Sequence, residues 1–317
     1  PFNLQEVGAA KKPEKPAKPQ QEPNDPAGKG FAILEKMMRS AEANIHVCGS
    51  RSDEYAAAIA GSIKIKTGKL KKFFFEQRSR VLANLSKLNK DFTPATKAFE
   101  DVFDEGAENA DLLSRLKPLL VGDLEFGGAQ LFAEIGMTDF TLPPSEAIEF
   151  LNLRENKITG VNGETFQQLK ETWQEALSKG ETMEQIVDRT KKVFNEASDF
   201  RAETIAVTET NTAVNGGRFT GMKQAKVEKK GWQASNLENV RASHLRAEQD
   251  YAKGIPLNKK FRVGGYDLMY PGDPTGPAQE VINCRCFTFA VIGEKAMMPE
   301  KFLSFEQFTG RHQHAHD

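Results

Sequence analysis

Between residues 199 and 225 polar and small side chains alternate at helical spacing, and this pattern constrains the fold more than any other part of the chain. Arg201, Thr204, Thr208, Asn211 and Asn215 recur at three- and four-residue steps, so a helix places them in one stripe. Ala202, Ile205, Ala206 and Ala213 form a second face, small enough for close packing against a neighbouring helix. Glu209 falls on that packing face. A carboxylate buried alone is expensive, so Glu209 is expected to be buried with a charged partner. Arg241 and His244, a helical step apart, are the expected partners, with Arg285 next. Gly216 and Gly217 either bend the helix or let another backbone approach it.

The flanking patterns set the fold class. Phe166, Leu169, Trp173 and Leu177 share one helical face, and Gly180 is placed to end that helix in a left-handed conformation. Thr182 and Gln185 form a capping box for a second helix, with Met183, Ile186, Val187, Val193 and Phe194 inward. Beyond Lys230 the period shortens: residues 231–234 and 260–263 read as strands, and 284–292 as a third. In the third, Phe287, Phe289 and Val291 face one way and Cys286, Thr288 and Ala290 the other. Pro271, Gly272, Asp273 and Pro274 make a rigid turn. The expected class is α+β, a mostly helical N-terminal region followed by a module of helix and small antiparallel sheet.

Four segments follow. Residues 1–28 hold six prolines among lysines and glutamines and read as a disordered linker or tail; residues 29–160 read as a helical domain, 161–292 as the α+β module, and 293–317 as a C-terminal tail. Phe302, Phe305 and Phe308 give that tail a short docking helix. Pro1 in place of an initiator methionine suggests a fragment, a processed product or a fusion to an upstream partner.

In the helical domain Leu70, Phe73, Phe74, Val81, Leu85 and Leu88 make an amphipathic face that Gln77 interrupts. Lys64, Lys66, Lys69, Lys71, Lys72, Arg78 and Arg80 surround it with one acid, Glu76, between them. They are candidates for contact with DNA or an acidic partner. Glu100, Asp101, Asp104, Glu105, Glu108 and Asp111 then form an acidic edge able to pair with the basic helix in the same or a neighbouring subunit. Their irregular spacing does not match a calcium-binding loop.

A formal net charge of -1 leaves no global bias toward nucleic acid. No apolar run is long enough for a membrane span and no secretion signal opens the chain, so a soluble protein without a membrane partner is expected. Cys48, Cys284 and Cys286 are too few for a disulfide framework and suggest folding in a reducing cytoplasm.

The order of several elements carries more than any one of them. Thr208 and Glu209 on the long helix, the Arg241-to-His244 spacing, Phe261 on an extended segment, the turn from Tyr270 to Pro274, and Cys284, Arg285 and Cys286 together resemble the phage Mu F-like head-morphogenesis family, minor capsid proteins of tailed bacteriophages. Val207 stands where the family usually has arginine. The resemblance implies a virion protein, made in the host cytoplasm, whose partners are the portal protein and the major capsid or scaffolding protein, with sequence-independent contact to double-stranded DNA. It implies no cofactor and no catalytic residues; Arg201, Thr208, Glu209, Arg241, His244, Asp273, Cys284, Arg285 and Cys286 are expected to form a structural polar cluster.

Two chemical alternatives remain. His244, Cys284, Cys286 and Asp273 suit zinc, but a single Cys-x-Cys pair with a distant histidine is a weak metal pattern, so buried reduced thiols without stoichiometric zinc are expected. An ADP-ribosyltransferase-like enzyme built on Arg201, Glu209 and His244 is the second, and it lacks a recognisable nicotinamide-binding segment. His312, His314 and His316 could also capture a transition metal adventitiously.

Overall fold

The computed structural model describes residues 49–87, 96–195, 198–299 and 301–314. The proline-rich residues 1–28 and Cys48 lie outside them, as do His316 and the side chains of His312 and His314. The architecture is α+β, with a helical N-terminal part and a small antiparallel sheet toward the C-terminus.

Helix α1 (Gly49–Lys87) is followed by α2 (Thr96–Val102) and α3 (Glu105–Glu134). Asp104 caps α3 by accepting a hydrogen bond from the Ala107 amide at 2.9 Å, and Glu105 and Glu108 in its first turn complement the positive end of its dipole. Part of the acidic edge thus has a local structural use.

Helix α4 (Pro144–Ser178) runs without interruption across the expected boundary at residue 160. Gly160 and Gly163 each cost a helix interior about 1 kcal/mol, too little to break a 35-residue helix with a buried face from Phe150 to Ala176. It ends before Gly180, which takes φ 65°, and the Thr182–Gln185 capping box opens α5 (Met183–Asn195) in both directions.

Helix α6 (Ser198–Gln224) is central. It lies along α3, and at their crossing a Cβ on Gly127 would collide with the Val214 carbonyl and one on Gly217 with the Leu124 carbonyl. The glycine pair therefore admits a neighbouring backbone, and α6 continues through it. Leu70, Phe73 and Phe74 of α1, Leu112 to Leu124 of α3 and the alanine face of α6 make one core. Val81, Leu85, Phe99, Phe103, Leu169, Trp173, Ile186 and Phe194 make a second core at the far end of the helices.

The sheet follows. Strand β1 (Lys229–Gln233) pairs antiparallel with β2 (Ile255–Pro256) on one side and β5 (Phe287–Ile292) on the other, and β6 (Lys295–Met297) adds to β5. Helix α7 (Ala242–Asp250), the hairpin β3 (Phe261–Val263) and β4 (Tyr266–Leu268), and α8 (Ala278–Val281) fill the connections. The third strand starts at Phe287, three residues later than its alternation suggests. Asn283 adopts φ 56° and the Cys284 amide turns back to the Val281 carbonyl, so the cysteines sit in a turn leading into the strand. Helix α9 (Phe305–His314) closes the chain, with Phe302, Phe305 and Phe308 against Tyr55, Phe126 and Phe287.

Candidate functional site

The polar stripe of α6 meets the backbone that leads into and along β5. Thr208 Oγ1 accepts from the Asn283 amide at 2.8 Å; Asn211 and Asn215 each donate from Nδ2 to the Cys286 carbonyl at 3.0 Å. Asn215 Oδ1 accepts from the Thr288 amide at 2.9 Å, and Arg218 Nε donates to the Thr288 carbonyl at 2.8 Å. Strand β6 pairs with β5 from Ala290 onward. Before that point the side chains of α6 satisfy the groups a neighbouring strand would have paired, which buried backbone requires.

Arg218 extends the stripe by three residues and is fully buried. Beyond Thr288 it reaches Gln130 at 2.7 Å and both oxygens of Glu134 at 2.5 and 2.6 Å, and lies over the Phe287 ring at 5.5 Å. Burial pushes the Glu134 carboxyl up, and Arg218 opposes that shift. The three-residue step from Asn215 that leads to Arg218 continues the spacing that relates the stripe's other members.

Glu209 is buried, but its partner is Arg154 of α4, which donates to both carboxylate oxygens. Arg241 and His244 are committed elsewhere. Arg241 donates to the Ile282 carbonyl at 2.6 Å, and Arg285 comes only to 3.9 Å from exposed Glu203. The signal for Arg154 was an arginine at position i+4 between Phe150 and Ile158 on a buried helical face. Arg201 donates to Thr165 at 2.8 Å and approaches Glu164 at 3.4 Å. Arg201 and Glu209 are thus each held by other side chains. Asp273 is equally local, accepting from the Met269 and Thr275 amides at 2.6 and 2.8 Å to shape its turn.

His244, Cys284 and Cys286 do converge. His244 Nδ1 is 3.2 Å from Cys286 Sγ and 3.8 Å from Cys284 Sγ, while Nε2 is 3.0 Å from Glu280 Oε2. Both cysteines are free and buried. A hydrogen bond from Cys286 holds the Cys284 thiol well below the usual range, and burial pushes Cys286 well above it.

The basic helix is divided. Lys66 points inward, 1% exposed, with Nζ 2.5 Å from Asp123 and 2.7 Å from Ser62, so it cannot reach DNA. Arg80 holds Glu108 through two bonds and touches Asp111 at 3.2 Å, so basic helix and acidic edge pair within one chain. Gln77, the break in the apolar stripe, is buried and donates to Glu108 and Asn162. Lys64, Lys69, Lys71 and Lys72 remain on the surface. Lys71 pairs with Asp199 at 3.0 Å, Lys72 lies 3.8 Å from Glu76, and Arg78 donates to Asn195 at 2.8 Å.

Residues 167–289 match the family described as Phage Mu protein F like protein. This stretch is similar to phage Mu F-like proteins. The match starts inside α4, takes in α5, α6 and the sheet as far as β5, and covers less than half of the 317 residues. No curated protein and no solved structure matches the chain. The Mu F-like match points to a phage head-morphogenesis protein and to the virion as its location, and the family is a structural one. Among the described residues no helix is long and apolar enough to cross a membrane.

Proposed function

We propose that this chain is a minor head protein of a tailed bacteriophage that binds the portal during head assembly, with the inner capsid or scaffold as a further contact. The family match supports the head assignment. The surface of α1 beside the start of α6 supports the docking role: Phe75 is 67% exposed and Phe200 76% exposed, and Lys71, Lys72 and Arg78 surround them. Large exposed aromatics rimmed by charge are the composition of protein interfaces rather than of inert surface. Its place would then be the portal vertex or capsid interior, where exposed Lys64, Lys69, Lys71 and Lys72 could meet packaged double-stranded DNA without reading its sequence.

The test is mass spectrometry of purified heads assembled with and without portal, and with the doubly substituted Phe75→Ser, Phe200→Ser chain. The expected result is depletion of the chain from portal-less heads and from heads made with the folded double variant. Equal copy number in all three would contradict portal docking.

A further inference from the structure

His244, Cys284 and Cys286, all buried, offer one nitrogen and two sulphurs that all lie within 4.8 Å of one another. Tetrahedral zinc, with bonds of about 2.3 Å to sulphur and 2.0–2.1 Å to nitrogen, sets its ligands about 3.6 Å (N to S) and 3.8 Å (S to S) apart. The observed separations of 3.2 and 3.8 Å from His244 Nδ1 bracket the first of these.

The surroundings fit as well. A metal-bound histidine usually gives its other ring nitrogen to a carboxylate, which fixes tautomer and ring orientation. Glu280 Oε2 occupies that position at 3.0 Å from Nε2 and is itself held by the Ser243 hydroxyl at 2.9 Å. Trp232 stands edge-on to His244, with ring centroids 5.3 Å apart.

We infer that His244, Cys284 and Cys286 form a binding site for a zinc-class divalent cation that ties α7 to the turn leading into β5. This departs from the spacing-based expectation of no bound zinc, because the fold supplies the proximity that the sequence did not display. On binding, both thiols lose their protons to solvent and His244 contributes the Nδ1 lone pair while its Nε2–H donates to Glu280, so cation and two thiolates neutralise each other. The fourth coordination position is left to water. The ion would serve as a staple, joining segments some forty residues apart.

The experiment measures metal content of the full chain purified without metal-affinity resin and then equilibrated with zinc and dialysed. About one zinc per chain is expected by the three-ligand count. It should persist when His312, His314 and His316 are replaced by alanine, and be lost in Cys284→Ser and in His244→Gln. Glu280→Gln should keep the site but weaken it about 10- to 100-fold. Should a ligand variant fail to fold, cobalt(II) added to the native chain gives the second readout, the thiolate-to-metal charge-transfer absorption of a tetrahedral site. No retained zinc and no such absorption, or zinc that disappears with the tail histidines alone, would overturn the inference.

Discussion

Around Trp173 the far end of the helices is packed with leucine, valine, phenylalanine and isoleucine, and its indole N–H finds Thr190 at 2.8 Å. Around α6, at the same depth, Arg218, Asn215, Asn211, Thr208 and Glu209 replace them. In the first region a side chain needs only to be apolar and of suitable size, because burial is non-directional. In the second each side chain needs a particular partner at a particular distance, because a buried polar group left unmade costs more than a made bond contributes. The apolar end should therefore tolerate change and the polar centre should not.

The largest effect is expected at Arg218. Its replacement by methionine leaves Glu134 charged and buried, at a cost of about 3–5 kcal/mol in urea unfolding, and adding Glu134→Leu should recover most of the loss. The matched change at the other end, Leu169→Met, should cost less than about 1.5 kcal/mol. If the two single substitutions cost the same, the contrast between the regions is wrong.

Lys230 sharpens the contrast with a charge that, among the described residues, has no carboxylate within bonding reach. It is buried on β1, donates to the Met269 carbonyl at 2.7 Å and lies 4.7 and 5.1 Å from the rings of Phe219 and Phe261. Burial pushes its ammonium down to about 7, with Asp273 opposing the shift. The unfolded chain, with an ordinary lysine, binds more protons between that value and about 10.4, so folding stability should rise with pH across this window. Lys230→Met should remove that rise and be more stable than the native chain at pH 7. A flat profile in the native chain would mean that the amine is solvated.

These cases also show what could be read from residues alone. The apolar face of α1, the Gly180 stop, the capping box and the three strand positions are local, and the Thr208 to Asn215 stripe was legible because it repeats at helical steps. The partner of Glu209 was not, since Arg154 precedes it by 55 residues and a backbone crossing of α4 on α6 brings them together. Lys66 looked like part of a basic surface for the same reason. Its inward direction depends on Asp123, a residue on another helix. The meeting of His244 with Cys284 and Cys286 likewise required α7 to pack against β1 and β3, beside the turn that leads into β5.

A smaller effect is expected on the outer surface. If Lys69, Lys71 and Lys72 touch DNA, changing all three to glutamine should flatten the log–log salt dependence of binding by roughly three phosphate contacts, from a native Kd of about 10⁻⁴–10⁻⁶ M at physiological salt. An unchanged slope in a filter-binding series would assign this face to protein contact alone.

The central claim is that α6 side chains act as the missing neighbour of β5, and the Thr288 amide tests it most directly, since its hydrogen bond runs to Asn215 Oδ1 at 2.9 Å. Residue-resolved hydrogen exchange should show this amide protected in the native chain, and Asn215→Ala should accelerate its exchange while the amides of α4 around Trp173 keep theirs. A Thr288 amide that exchanges freely in the native chain, or that stays protected in Asn215→Ala, would contradict it.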